Sequence, residues 1–134
     1  MADTLDVDVW VIGAGSGGLS VAAGAVQMGA RVALVEKHKM GGDCLNYGCV
    51  PSKALIAAAH AAEAQRAPGA FGVTPHVPEI DWAKVHEHVH GVIAAIAPID
   101  SVERFAGLGV TVILGPARFA GPRASVPRFA AGLR

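Results

Sequence analysis

The chain has no surplus of charge of either sign, and that removes whole classes of partner. Eleven basic residues are balanced by eleven acidic ones, for a formal net charge of zero. Such a balance leaves no electrostatic footprint for nucleic acid or for an anionic membrane surface. Cysteine is also scarce, with two in 134 residues, too few for the disulfide scaffold of a small secreted domain. No basic residue precedes Arg31. The uncharged run from Val9 to Ala30 therefore lacks the positive flank of a signal peptide. It is long enough to span a bilayer, but it holds six glycines and follows Asp3, Asp6 and Asp8. We read it as a folded core segment of a cytoplasmic protein.

What is present suits one globular domain: 134 residues, of which 52% are hydrophobic. Leu5 to Ile12 alternates and then runs apolar, the pattern of a buried parallel strand. A helix of small residues is expected from Ser16 to Met28, stopped by Gly29. A second apolar run, Arg31 to Val35, ends in Glu36. Together these form a β-α-β unit of about 30 residues, the usual size of a parallel crossover. Further on, the alanine-rich Ser52 to Arg66 predicts a helix, and Ala67 to Pro78 a loop. Asp81 to Ala97 predicts another helix, with Trp82, Val85, Val89, Val92, Ile93 and Ile96 on one apolar face. Pro98 breaks it. A short helical piece, Asp100 to Ala106, leads to a strand, Val110 to Leu114. Beyond that the arginine- and proline-rich tail has no clear period, and no internal repeat is visible.

Gly13-Ala14-Gly15-Ser16-Gly17-Gly18 fits G-x-G-x-x-G between a strand and a helix. The first glycine allows a tight turn, the second lets the backbone approach a pyrophosphate, and the third permits close packing of helix on strand. The helix N-terminus offers N–H groups and a partial positive charge to phosphates. Alone the hexapeptide is a weak signal. Glu36, about twenty residues on at the end of the second strand, supplies the acceptor for a ribose hydroxyl that the motif requires. A carboxylate there repels a 2′-phosphate, so adenosine with a free ribose is expected, as in FAD or NAD.

Three chemistries compete for Cys44 and Cys49 in GGDCLNYGCVPSK (Gly41 to Lys53). A zinc site needs four ligands, and no second cysteine pair exists. The histidines include His86, His88 and His90, of which His86 and His90 can share a helix face. They stand far off in sequence, and a solvated polar face accounts for them better, so no metal site is assigned. A purely structural disulfide is disfavoured in a reducing compartment. The third reading is a redox-active disulfide. Residues five apart in a regular α-helix have Cα atoms about 8–9 Å apart, whereas a disulfide rarely spans more than about 7 Å. The pair closes only across an irregular backbone, for which Gly48 provides the freedom. Val50-Pro51-Ser52 reads as a helix beginning, and a thiolate near a helix N-terminus and a lysine such as Lys53 is a better nucleophile.

With the glycine motif, Glu36 and this cysteine segment in place, the chain resembles the flavin-dependent pyridine nucleotide–disulfide oxidoreductases. That family includes dihydrolipoamide dehydrogenase, glutathione reductase and mercuric reductase. The resemblance implies a Rossmann-like, doubly wound α/β fold with a parallel sheet, of which this chain matches the N-terminal, FAD-binding part. It implies that Gly13, Gly15 and Gly18 hold the FAD pyrophosphate and that Glu36 binds the adenosine ribose. Gly41 and Gly42 would let the chain pass close to the cofactor, Lys53 would lie near the flavin, and Ala117 would meet the adenine through its backbone. Cys44 would be the interchange thiol and Cys49 the charge-transfer thiol of a redox-active disulfide. NADH or NADPH would be the co-substrate, a small molecule or disulfide the substrate, and a homodimer the assembly of the full-length family. Turnover by these 134 residues alone is not expected; the alternatives are a stand-alone dinucleotide-binding module without catalysis and a Cys/His metal-binding protein.

The sequence departs from the family pattern at Asp43, where threonine is usual, and at Tyr47, where a small aliphatic is usual. A second glycine motif for NAD(P)H, a dimerisation domain and a strand ending in Ala-Thr-Gly do not follow within these 134 residues. The first strand is accordingly expected to lack a neighbour on one side.

Overall fold

In a computed structural model, residues 5–69, 71–120 and 123–125 are described. In chain order the elements are β1 (Val9–Ile12), α1 (Ser16–Gln27), β2 (Val32–Glu36), α2 (Gly42–Asn46), α3 (Cys49–Arg66), α4 (Trp82–Ile96), α5 (Val102–Gly107), β3 (Thr111–Leu114), β4 (Arg118–Ala120) and β5 (Arg123–Ser125). A turn of 3₁₀ helix, Ala97–Asp100, separates α4 from α5. The chain divides into two compact units, residues 1–42 with 97–134, and residues 43–96.

The first unit is built on a parallel sheet in the order β1-β2-β3. Val9 pairs with Val32 and Ile12 with Val35, while Ala33 to Glu36 pair with Thr111 to Leu114. The middle strand β2 (VALVE) is buried along its whole length, as a strand covered on both faces must be. The core gathers Val11, Ala14, Leu19, Ala22, Val32, Leu34, Phe105 and Val110. Ala22 is fully buried, and its small side chain lets α1 lie close on the sheet. The chain leaves α1 through Gly29, at φ +89°, a conformation that favours glycine.

The β-α-β unit expected from the sequence is present. β1 starts later than expected, because pairing begins only where β2 begins. Ahead of it, the Asp8 carboxylate takes the Arg31 backbone N–H at 2.8 Å and its guanidinium at 2.9 Å. The Arg31 hydrogen bonds hold the Asp8 carboxyl down at about 2. Among the described residues β1 pairs only with β2. The Val9–Ala30 run is a strand and a helix parted at Gly13. Among the described residues no helix is long and apolar enough to cross a membrane. The antiparallel β4–β5 pair was not foreseen, since strands of three residues carry too short an alternation to read. The tail from residue 126 onward lies outside the described residues.

Phe105, on α5, is 1% exposed and is the largest side chain among the fully buried ones. Phe105→Ala is expected to lower the unfolding free energy by about 3–5 kcal/mol, the cost of emptying a packed aromatic site, as measured by urea denaturation. A loss under about 1 kcal/mol would mean that the core does not close around this ring.

In the second unit α3 and α4 pack together. Asp81 Oδ1 caps α4 by accepting the Lys84 N–H at 3.1 Å, so the helix starts at Trp82, one residue past the expected Asp81. Ser101 caps α5 in the same way. The apolar face read on α4 is half-buried at Val85, Val89, Val92, Ile93 and Ile96, but Trp82 is 72% exposed. The spacing foretold the face; this unit does not cover all of it.

Candidate nucleotide and dithiol sites

The first unit carries the glycine loop. β1 ends at Ile12, and Gly13, at φ +101°, turns the chain while its N–H donates to the Val35 carbonyl at 2.7 Å. Gly15 then precedes α1 as its N-cap, without a side-chain capping bond. Gly18 has no room for a side chain. A Cβ there would run into the Gly13 carbonyl oxygen and stand 3.2 Å from Val11 Cγ1. Close packing of helix on loop, expected of the third glycine, is therefore a steric fact here. Gly42, at φ +57°, makes a second close approach: a Cβ on it would lie 2.7 Å from the Gly15 Cα. Gly41 is also left-handed, at φ +84°.

Glu36 is 7% exposed and holds two loops together. Its Oε2 accepts the Ala14 N–H and its Oε1 the His38 N–H, both at 2.7 Å. A carboxylate offers about four lone-pair positions, so two remain beyond these N–H groups. The sequence named the acid but not its partners, because backbone N–H groups leave no trace in side-chain chemistry. Gly13, Glu36 and Ala117 all lie at the carboxyl ends of β1, β2 and β3 or just beyond. Ala117 sits half-buried in the link to β4. In open parallel sheets that edge is where ligands bind.

A diphosphate fits this loop. The first-turn N–H groups of α1 have no capping side chain and no acidic neighbour in the turn. A Cβ on Gly15 or Gly17 would meet nothing within 4 Å, so the backbone is open to close approach. Helix N-termini of this kind favour anions.

The second unit carries the cysteines. Cys44 and Cys49 form a disulfide, with Cα atoms 4.7 Å apart, well inside the distance a continuous helix would impose. The closure comes from the break between α2 and α3 at Tyr47 and Gly48. Gly48 supplies both the irregular backbone, at φ −117° and ψ −113°, and the space: a Cβ there would stand 2.9 Å from the Asp43 carbonyl oxygen. Cys44 is half-buried and Cys49 exposed. α3 starts at Cys49, three residues earlier than expected, and Pro51 falls in its first turn, where a missing N–H costs no hydrogen bond. Lys53 is exposed near the same end. Asp43 lies in the first turn of α2 and is exposed, as is Tyr47 at 68%. α2 itself escaped sequence reading, because five residues carry no helical period. Tyr47, Pro51, Ser52 and Leu55 line one side of an apolar groove of about 500 Å³, and Trp82, Val85, His86 and Val89 the other.

A dinucleotide loop and a bridged C-x4-C in one chain define a class, that of the flavoprotein disulfide reductases. The chain belongs to the pyridine nucleotide-disulphide oxidoreductase family, whose model matches residues 7–119. Its sequence is 43% identical over 89 residues to a dihydrolipoyl dehydrogenase of Geobacillus stearothermophilus, covering 66% of this chain and 19% of that protein. It is 43% identical over 115 residues to a dihydrolipoyl dehydrogenase of Halobacterium salinarum, covering 85% and 24%. The HOCl-induced flavoprotein disulfide reductase RclA of Escherichia coli superposes with a TM-score of 0.67 at 26% identity, over 87% of this chain and 24% of that one. The chain thus spans about a fifth to a quarter of the length of these relatives.

Proposed function

We propose that this chain is the FAD-binding part of an NAD(P)H-dependent disulfide oxidoreductase of the dihydrolipoyl dehydrogenase type. The observation that carries the reading is the Cys44–Cys49 disulfide, closed in a member of a disulfide-oxidoreductase family. Gly13, Gly15 and Gly18 would hold the pyrophosphate and Glu36 the adenosine ribose, with Gly41, Gly42, Lys53 and Ala117 as further contacts. Bound FAD would supply two-electron transfer between NADH or NADPH and the disulfide.

The protein's own chemistry is thiol–disulfide exchange. In the reduced state the Cys44 thiolate attacks one sulfur of a small disulfide substrate, the other sulfur leaves as a thiolate, and a mixed disulfide forms. Cys49 then attacks Cys44 Sγ, releasing the second substrate thiol and restoring the bridge. Two electrons and two protons pass to the substrate in each cycle. The whole protein is proposed to act as a homodimer.

The experiment is a flavin-fluorescence titration of the 134-residue chain with FAD, set beside Glu36→Ala. Weak but saturable one-to-one binding is expected, weakened about a further tenfold in the variant. Loss is expected both through the ribose and through the Ala14 and His38 ties. An unchanged affinity in the variant would overturn the assignment of Glu36, and no saturable binding would overturn the cofactor.

A further inference from the structure

His86 and His90 lie one turn apart on α4, both exposed, and neither is among the residues assigned above to nucleotide or dithiol chemistry. Exposure agrees with a solvated polar face, but the two imidazoles do not point apart. Their Nε2 atoms converge to 3.0 Å, with ring centroids 4.2 Å apart and the planes inclined at 53°. One nitrogen donates to the other, the roles depending on the tautomer, so the two Nε2 atoms face each other across a short gap.

We infer that His86 and His90 form a two-imidazole chelate for a divalent d-block cation of tetragonal preference, the Ni(II) and Cu(II) class. The choice follows the nitrogen and water donor set, which suits tetragonal Cu(II) and Ni(II), and the present spacing is compatible with it. With metal–nitrogen bonds of about 2.0–2.1 Å, two nitrogens 3.0 Å apart subtend about 91–97° at the metal. That is the angle between adjacent ligands of a square-planar or octahedral centre. Binding needs a lone pair on both Nε2 atoms. The ring that now donates moves its proton to Nδ1, so the chelate forms without net proton release from two neutral imidazoles. Water completes the coordination, consistent with the lack of any group of three or more His, Cys, Asp or Glu side chains able to hold a metal among the described residues. The cysteines take no part, since both sulfurs are committed to their bridge. His86 also borders the apolar groove, so a bound cation stands at its edge.

The test is a calorimetric titration of the oxidised 134-residue chain with nickel chloride at about pH 7.5, where an ordinary imidazole is neutral. One saturable site per chain is expected, binding Ni(II) more tightly than Zn(II). His86→Ala and His90→Ala should each weaken it about tenfold or more, because either leaves a single imidazole. His88→Ala, on the opposite side of the helix, should leave it intact. Circular dichroism keeps the comparison fair by showing that each variant retains its helix content. Overturning results are no saturable Ni(II) site, a site that survives His86→Ala or His90→Ala, a site lost in His88→Ala, or tighter binding of Zn(II) than of Ni(II). FAD titration is independent of these outcomes, so the metal site and the flavin reading fail separately.

Discussion

Gly18→Ala is expected to lose FAD affinity by about tenfold or more and to destabilise the first unit by about 1–3 kcal/mol, the cost of overpacking a close contact. The new Cβ would overlap the Gly13 carbonyl oxygen, stand 3.1 Å from its carbonyl carbon and 3.2 Å from Val11 Cγ1. Two of those atoms are backbone and the third belongs to the core, so nothing flexible can yield. α1 must move away from the loop, taking with it the N–H groups that would face the pyrophosphate. Gly17→Ala is the control. Its Cβ would meet nothing within 4 Å, and alanine is favoured over glycine in a helix by about 1 kcal/mol. It should leave stability unchanged or slightly raised. Thermal unfolding and flavin fluorescence on the two variants check the contrast. Equal behaviour would show that the third glycine is not where helix and loop meet.

The second large effect concerns the sulfurs. The oxidised chain should titrate with no free thiol under denaturing conditions and with two after reduction. Either serine variant should titrate with one. The bridge closes a loop of six residues, worth about 2 kcal/mol through the unfolded chain, so Cys44→Ser and Cys49→Ser should lower stability by no more than that. Their FAD affinity should stay near that of the wild type. What should vanish is dithiol chemistry: neither variant can complete the two-step exchange with a small disulfide. The variants also separate the two roles. Reduced Cys49→Ser keeps the proposed attacking thiol and should form a mixed disulfide quickly, whereas Cys44→Ser should form one slowly. Mass spectrometry of the trapped adducts reads the difference. Faster trapping by Cys44→Ser would exchange the roles. If Cys44→Ser leaves every property of the chain intact, a nucleotide-binding module without catalysis is favoured instead.

Much of the first unit was legible because its signals are local. The apolar run into Gly13, the small residues of α1 and Glu36 ending β2 each follow from backbone sterics and period alone. Cysteine closure was legible as a condition: two thiols five residues apart can bridge only where the helix is broken. Other features were hidden for physical reasons. The sequence suggests that Gly48 lends conformational freedom; that it also admits the Asp43 carbonyl is a contact set by how α2 and α3 meet. Glu36 could be named as an acid but not as the tie between Ala14 and His38, since any residue but proline offers the same N–H. The histidines of α4 could be placed on one face by their spacing. The convergence of two nitrogens to 3.0 Å depends on side-chain torsions that spacing leaves open.

The amino-acid order by itself determined the dinucleotide motif, its acid and the irregular dithiol segment, because each is a short-range constraint on where a Cβ, a carboxylate or a sulfur can go. Tertiary structure alone decided which backbone groups those residues engage, how far α4 is left uncovered, and that the strand order leaves β1 paired on one side only among the described residues. Those outcomes arise from packing between segments distant in the chain, and no local pattern encodes them.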